Sequence, residues 1–464
     1  MTARTEVYSE SKKSKYSGAE STLGYSPSPF ARSPYPRSPA KTRRSPVRRV
    51  VYSPTSSEKT RAHHKLADFY RKSVYKTKKT KTRLAAACRD SNICLILGSD
   101  VDADLRKFFA GFVKLRFLAA ATRLQKPSAN GFIHQLRFSH HDYEAYAILK
   151  SVVQPKSDNA VYEFRVGTYL NNFVKRFPCF VETYGLFKYN DEAQWRLQMS
   201  EADVNPEDMK RRIERVPYSL RAACATPELF AVLVQSIPNP TYLYDLPDDA
   251  SLFPILYQIY FPLGLMQNTF THYDLHINNV LLYEPAPNKY IEYHYHAPEG
   301  VVRFKSNYLA KIIDYGRSYF YDGRESSATI YRDLFLDRCD IRAHGFRWLN
   351  PKNGSSPFFT TARPNPKFDL RFFQFVKDYL NPTKKIHQKF ELSRFEMSRA
   401  LIPPDFPLAD YGGAECTPGD ICDCAGARDW LGSVIPTLPD RFEGQEKFGD
   451  LHVHPDSPFV FTLA

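Results

Sequence analysis

The pattern of apolar and polar residues changes near residue 84. Before this position aliphatic residues are sparse, and Ser, Pro, Lys and Arg dominate. Such a segment has too little apolar surface to offset the entropy lost on ordering. After it, apolar segments recur at the lengths of ordinary strands and helices. We therefore expect a disordered tail over residues 1–83, followed by a folded body.

Short apolar or alternating segments dominate residues 84–236. GFIHQLRFS, YEAYAILKSVV and LFAVLVQSI predict β-strands, whereas DNAVYEFRVGTYL has apolar residues near helical spacing. A charged stretch from residue 189 to about residue 228 is typical of an insertion. This part of the chain is therefore predicted to be mostly β.

The pattern after residue 236 is more varied. A long apolar helix is predicted from about residue 248 to 268, with Ser251 as its N-cap, and FDLRFFQFVKDYL predicts a later helix. The alternating segment YIEYHYH predicts a half-exposed strand of a hairpin. We expect residues 237–464 to be mostly helical, with insertions.

The positive charge of the chain lies in the tail. The net charge is +14, of which residues 1–83 contribute +16 and the remainder −2. The tail also contains six Ser-Pro steps, at Ser26, Ser28, Ser33, Ser38, Ser45 and Ser53. Such a tail can bind nucleic acid or another acidic surface, and phosphorylation would weaken that binding. A nuclear-targeting patch and a simple solvated tail fit the same residues.

Cysteine usage and apolar runs bear on cellular location. The eight cysteines are not spaced as a small disulfide framework, and no apolar signal segment begins the sequence. The longest apolar run, residues 252–266, is too short to span a membrane and contains two prolines. We expect no membrane span and an intracellular setting.

Two polar motifs contain residues suited to phosphoryl transfer. THYDLHINNVLLYE has the form H-x-D-L-x-x-x-N, and AKIIDYGRS ends a predicted strand with D-x-G. Transfer from ATP requires a carboxylate that orients the acceptor hydroxyl, together with an amide and a second carboxylate as hard oxygen ligands for Mg²⁺. Asp274, Asn279 and Asp314 offer these groups.

These motifs resemble the catalytic and metal-binding loops of the protein-kinase-like superfamily. HYDLHINNVLLY, YIEYHYH, KIIDYGRSYF and FPCFVETYG are similar to segments of serine/threonine protein kinases of large nucleocytoplasmic DNA viruses. The resemblance implies a two-lobed, kinase-like α+β fold, with ATP and Mg²⁺ as cofactors and a protein Ser or Thr as the phosphate acceptor. It also implies the host cytoplasm or nucleus, with virion association a further option.

The resemblance also implies roles for single residues. Asp274 is expected to be the catalytic aspartate, and Asn279 and Asp314 the magnesium ligands. Lys150 and Glu163 are expected to form the ion pair that positions the α- and β-phosphates of ATP.

Other parts of the expected nucleotide site are less regular. Glu182 is a rival to Glu163 as the lysine's partner. ATP is expected between the lobes, near a hinge from Gln235 to Ile237 and near Gly131, which is the single glycine in SANGFIHQL.

Two further residues are expected to support the catalytic loop rather than react. His272 is expected to bond the loop backbone, and Asp369 matches the buried aspartate that braces the loop from a later helix.

Departures from the family pattern leave alternatives open. The segment SANGFIHQL has one glycine where the glycine-rich loop of kinases usually has three. This departure is compatible with a pseudokinase or scaffold that binds partners or nucleic acid through its tail. His276 stands where protein kinases usually have lysine and resembles small-molecule kinases of the aminoglycoside phosphotransferase type, in which case it would contact the substrate. A third interpretation is a non-haem iron site built from His272 and Asp274 with a distant His294 or His296 and Arg317, but it leaves Asn279 and the D-Y-G motif unexplained.

Overall fold

The protein is an α+β molecule in which helices and strands are mixed along the chain. A computed structural model describes these residues: 93–97, 105–106, 109–124, 131–140, 143–152, 159–217, 229–246, 251–297, 299–330, 364–380 and 420–464. The predicted tail, residues 1–83, lies outside these ranges with all of its Ser-Pro steps.

The helices and strands of these ranges are numbered in chain order. The α-helices are α1 (Ile93–Leu97), α2 (Asn159–Leu170), α3 (Glu192–Ser200), α4 (Pro206–Arg212), α5 (Leu252–Met266), α6 (Leu370–Tyr379) and α7 (Cys424–Val434). The strands are β1 (Leu118–Arg123), β2 (Phe132–His140), β3 (Tyr143–Ser151), β4 (Thr183–Tyr189), β5 (Asp203–Val204), β6 (Ile213–Arg215), β7 (Phe230–Gln235), β8 (Thr241–Tyr242), β9 (Phe270–Thr271), β10 (Val280–Tyr283), β11 (Lys289–Ala297), β12 (Gly300–Ser306), β13 (Leu309–Ile312), β14 (Tyr319–Phe320), β15 (Glu446–Val453) and β16 (Val460–Leu463).

The largest sheet is an antiparallel one of seven strands, in the order β5-β1-β2-β3-β7-β4-β6. Its strands β4 and β7 are buried almost throughout, whereas β2 alternates between buried and partly exposed residues, as a strand with one solvated face does. The charged stretch predicted as an insertion supplies α3, α4 and the two edge strands β5 and β6. Both edges of this sheet are therefore short strands of two and three residues, which limits the row of unpaired backbone groups at each edge.

Helix α2 packs against β4 and β7 of the same sheet. The contact is close at Gly167, where an added Cβ would lie 2.0 Å from Thr183 Oγ1. Only glycine allows this approach, so Gly167 sets the distance between α2 and the sheet.

Helix α5 lies within the predicted range of about 248 to 268, but Ser251 has helical backbone angles and its side chain makes no capping hydrogen bond, and 14 of the 15 helical residues are buried. A helix that is apolar on all sides is stable only inside a core. Helix α6 coincides with the second helix predicted after residue 236.

A four-stranded sheet, in the order β12-β11-β15-β16, lies in the second half of the chain. The hairpin of β11 and β12 confirms the prediction from YIEYHYH, since Ile291, Tyr293 and Tyr295 are buried and the alternate residues are partly exposed. Its parallel partner β15 comes from the end of the chain and was not predicted.

The second half of the chain contains more strand than expected. Residues 237–464 were expected to be mostly helical, but their described part has nine strands, β8–β16, beside α5, α6 and α7. The difference arises because the chain between β10 and β13 forms a hairpin and the C-terminal residues extend its sheet. Within the described ranges, no helix has the length and apolar character needed to cross a membrane.

Candidate active site

The polar motifs meet at one end of a small antiparallel ladder. Strands β10 and β13 pair in the register Val280 opposite Ile312. Asn279 directly precedes β10 and Asp314 follows β13, and the ladder is extended by a hydrogen bond from Ile313 N–H to the carbonyl of Asn279 at 3.0 Å. Residues 35 positions apart in the sequence are therefore brought to the same edge.

Asp369 braces the loop before β10. Its Oδ2 accepts a hydrogen bond from His272 N at 2.7 Å, and its Oδ1 accepts one from Tyr273 N at 3.0 Å. Tyr273 has a φ of +62°, which is strained for a bulky residue, and its ring packs on Phe368 at a centroid distance of 4.8 Å. The carboxylate and the aromatic contact together stabilise this backbone conformation, so Asp369 has the bracing contacts expected of it.

His272 connects the loop to the chain beyond β13. Its Nδ1 accepts from Asp274 N at 3.3 Å, which leaves Nε2 protonated to donate to the carbonyl of Ile313 at 3.0 Å. Burial lowers the pKa of His272 to about 4, so the ring is neutral at physiological pH. Because both ring nitrogens are engaged with backbone groups, His272 has no nitrogen left for an iron ion, and the non-haem iron reading loses its first ligand.

Lys150 lies between two carboxylates from distant parts of the chain. Its Nζ is 2.7 Å from Glu163 Oε1 and 2.9 Å from Glu163 Oε2, and it is 3.1 Å from Asp314 Oδ1. The rival Glu182 instead pairs with Arg106 at 2.7 Å. The structure therefore brings Lys150, Glu163 and Asp314 together, and Glu182 has a different cationic partner.

Lys150, Glu163 and Asp314 shift one another's pKa values. Burial alone would lower the pKa of Lys150, but the carboxylates of Asp314 and Glu163 outweigh it and the net pKa is raised. The ammonium of Lys150 lowers the pKa of Asp314. Burial raises the pKa of Glu163, and the same ammonium opposes that rise. The side chain of Asp314 remains 40% exposed, so its carboxylate is accessible to a ligand.

Asp274 lies beside the guanidinium of Arg317 and the imidazole of His276. Its Oδ2 is 3.6 Å from Arg317 Nη1, and its Oδ1 is 3.7 Å from His276 Nε2. Burial raises the pKa of Asp274 to about 7, although the guanidinium of Arg317 opposes the rise. A carboxylate with a pKa near the working pH is suited to accept a proton.

Arg317 was not predicted as part of a phosphoryl-transfer site. It lies three residues after Asp314 in D-Y-G-R, and that proximity is the only signal the sequence offers. His276 is 47% exposed beside Asp274, a position from which it can contact a substrate.

Asn279 and Asp314 fit a magnesium ion by the chemistry of their donor atoms. The Nδ2 of Asn279 donates to the carbonyl of Asp274 at 2.8 Å, which fixes the amide so that its oxygen is the atom left for a cation. Together with the partly exposed carboxylate of Asp314, this oxygen gives two hard ligands at one end of the ladder, as Mg²⁺ prefers.

The remaining predicted nucleotide contacts have structural explanations of their own. Gly131 has a φ of +152°, and an added Cβ would lie 2.2 Å from the carbonyl oxygen of Ser151, so packing beside the end of β3 already requires glycine. Gln235 is buried, and its Nε2 donates to the carbonyl of Leu95 at 2.9 Å. Ile237 is also buried. A nucleotide contact at Gly131, Gln235 or Ile237 stays a prediction.

No protein-family model matches the chain, and no curated protein matches its sequence. The function of the site therefore has to be inferred from its geometry and from the motifs that build it.

Proposed function

We propose that the protein is an ATP-dependent phosphotransferase that moves the γ-phosphate of ATP to a hydroxyl group, namely a Ser or Thr of a protein. The observation that supports this most is the position of Lys150 between Glu163 and Asp314, which lie 13 and 164 positions away in sequence. Kinase-like phosphoryl transfer uses a strand lysine paired with a helix glutamate, together with an aspartate that binds the metal. Here the lysine comes from β3, the glutamate from α2 and the aspartate from the turn after β13.

Each side chain has a role in this proposal. Lys150, fixed by Glu163, would contact the α- and β-phosphates of ATP. Asn279 and Asp314 would hold Mg²⁺, which when bound neutralises the charge of the phosphates. Asp274 would orient the acceptor hydroxyl and take its proton.

A two-lobed, kinase-like arrangement is part of the proposal. All strands of the seven-stranded sheet lie before residue 236, and the strands of the other sheets lie after residue 240. Lys150 and Glu163 come from the first part, whereas Asp274, Asn279 and Asp314 come from the second. This division supports lobes that meet at the expected boundary of 236/237, with ATP between them.

The acceptor class depends most on His276. The His276 Nδ1 accepts from Asn278 N at 3.2 Å, so the partly exposed imidazole is oriented at the edge of the site. It occupies the position at which protein kinases and small-molecule kinases differ. A small-molecule acceptor is therefore the second candidate and is included in the test.

The test uses the purified full chain with γ-labelled ATP, Mg²⁺ and either a mixed protein substrate or a panel of aminoglycosides. We expect the wild type to label protein. Asp274→Asn should lower the rate by about 10²- to 10⁴-fold, the usual contribution of a positioned proton acceptor, with ATP affinity little changed. The control is Asp203→Asn, which alters an exposed aspartate in the edge strand β5 and should be neutral.

Three outcomes would overturn all or part of the proposal. If the wild type does not bind ATP, the nucleotide site is wrong. If it binds ATP without transfer to any acceptor, the protein is a pseudokinase or scaffold. If label appears only in aminoglycosides, the protein acceptor is wrong and the transfer chemistry stands.

A further inference from the structure

The partly exposed face of the four-stranded sheet contains a ladder of polar residues. Strands β11 and β15 run parallel, with Glu292 opposite Asp450 and His294 opposite His452. Because side chains alternate along a strand, these four residues share one face, and the buried Tyr293 and Leu451 lie on the other. His296 continues the same face of β11, and His454 lies directly after the end of β15.

The imidazoles on this face are in contact. The rings of His294 and His452 stack at a centroid distance of 4.2 Å, and those of His296 and His454 stack at 3.9 Å. His294 Nε2 is 3.1 Å from Asp450 Oδ1, and His296 Nε2 is 3.4 Å from His452 Nδ1. The ligand atoms of His294, Asp450 and His452 all lie within 4.8 Å of one another.

We propose that His294, Asp450 and His452 form a zinc site, with His296 as the fourth ligand. The donor set indicates a transition metal of the Zn²⁺ type, because imidazole nitrogen with one carboxylate suits Zn²⁺, whereas Mg²⁺ and Ca²⁺ prefer all-oxygen sites and Cu(I) prefers sulfur. This site lies on a different sheet from Asn279 and Asp314, and its existence does not depend on phosphoryl transfer.

Side-chain movement is needed to close the site: His294, Asp450 and His452 are already near one another, whereas His296 adjoins only His452 and has to move further. Tetrahedral zinc with bonds of about 2.0–2.1 Å places its ligand atoms about 3.3 Å apart. The 3.1 Å between His294 Nε2 and Asp450 Oδ1 already matches this spacing, and because every pair among His294, Asp450 and His452 lies within 4.8 Å, none has to approach by more than about 1.5 Å. Rotation of side-chain torsions in partly exposed residues allows such a movement, and the paired strands fix their Cα positions.

Lys447 competes with the metal for Asp450. Its Nζ is 2.7 Å from Asp450 Oδ1 and 2.7 Å from Glu292 Oε2. On zinc binding the ammonium would keep Glu292 as its partner and give up Asp450. A lysine at this position therefore weakens the site, and its removal should strengthen zinc binding.

The consequence of binding would be a cross-link between distant segments. His294 and Asp450 are 156 positions apart, and β15 belongs to the last twenty residues of the chain. A metal bound by both strands would stabilise the folded form over the unfolded one in proportion to the logarithm of its concentration. The expected role is to fasten the C-terminal strands to the hairpin that lies between the two candidate magnesium ligands in sequence.

The experiment is a Zn²⁺ titration of the full chain after metal removal, by competition with a chromophoric chelator and by thermal unfolding. We expect the wild type to bind one more zinc ion than a His294→Gln/His452→Gln variant and to gain thermal stability that this variant does not gain. The matched control is His140→Gln, which changes a partly exposed histidine of the seven-stranded sheet and should retain the wild-type stoichiometry. Metal-free melting of each variant checks that it folds.

A second variant tests the site without removing a ligand. Lys447→Met should tighten zinc binding by about tenfold, since it removes one charge-assisted contact to Asp450.

The visible spectrum with Co²⁺ should show tetrahedral coordination that is lost in the double histidine variant.

Two results would overturn the proposal. One is equal zinc stoichiometry and equal stabilisation in the wild type and the double histidine variant. The other is an equal response to Mg²⁺, which would identify a non-selective acidic patch.

Discussion

Replacing Glu163 by glutamine removes one of the two carboxylates that fix the ammonium of Lys150. Glu163 contacts Lys150 Nζ through both oxygens, at 2.7 and 2.9 Å, whereas Asp314 contributes one contact at 3.1 Å. Glutamine has nearly the same shape but a single acceptor oxygen and no charge. The lysine would then be drawn towards Asp314, the residue that the proposal assigns to the metal.

The size of the effect follows from these contacts. A hydrogen bond to a charged group contributes about 1.5–3 kcal/mol. Breaking a fully buried ion pair costs about 3–5 kcal/mol, but Lys150 is 26% exposed and keeps Asp314, so the lower range applies. Since each 1.4 kcal/mol corresponds to a factor of ten, we expect kcat/KM for ATP to fall by about 10- to 150-fold.

The assay measures phosphoryl transfer from labelled ATP and the affinity for a fluorescent ATP analogue. Glu182→Gln is the matched control, because it changes a neighbouring glutamate that pairs with Arg106 instead of Lys150. We expect this control to lose some thermal stability but to keep its ATP affinity. Wild-type affinity and rate in Glu163→Gln, or an equal loss in both variants, would refute the assigned role of the Lys150–Glu163 pair.

Two further predictions concern Asp369, which braces the loop, and the buried His134. Asp369→Asn should lower kcat by at least about tenfold, because asparagine can accept from only one of the two backbone N–H groups of His272 and Tyr273. Burial raises the pKa of Asp369 to about 7, so the loss of its costly buried charge should leave the melting temperature little changed. An unchanged kcat would contradict the bracing role. Burial, assisted by the charge of Arg123, lowers the pKa of His134 from 6.5 to about 4. Between pH 6.5 and pH 4 the unfolded chain therefore binds a proton at this residue more readily than the folded chain does. The stability of the folded protein falls as the pH drops through this window. Between pH 7 and pH 5 this single residue should lower the free energy of unfolding by about 2 kcal/mol. Chemical denaturation of His134→Leu should show a correspondingly smaller loss of unfolding free energy over the same pH change. An identical loss in the wild type and the variant would refute the assignment.

The sequence determined the local features of the site. The motif H-x-D-L-x-x-x-N and the D-x-G after a strand are contiguous patterns, so Asp274, Asn279 and Asp314 could be identified without coordinates. Lys150 was proposed because YAILK resembles the V-A-I-K segment of kinases and because of its position relative to the other motifs. The alternation of YIEYHYH and the uninterrupted apolar character of α5 likewise specify which side of each element is buried.

The tertiary structure decided which groups meet. Glu163 and Glu182 were both candidates for Lys150, and only the packing of α2 on the sheet directs Glu163 to the lysine, while Arg106 takes Glu182. The contact of Arg317 with Asp274 likewise depends on the path of the chain after β13. Local periodicity contains no information about such contacts, because it records which face of an element is buried but not what covers it.

Strand pairing over long distances was the other feature hidden from the sequence. Each of β11 and β15 shows its own alternation, but nothing local specifies that they pair in parallel across about 150 residues, with His294 opposite His452. Side-chain alternation fixes a face, whereas the partner and the register are fixed by the fit of whole buried surfaces. The sequence therefore determined the chemistry each segment offers, and the fold determined which of those groups act together.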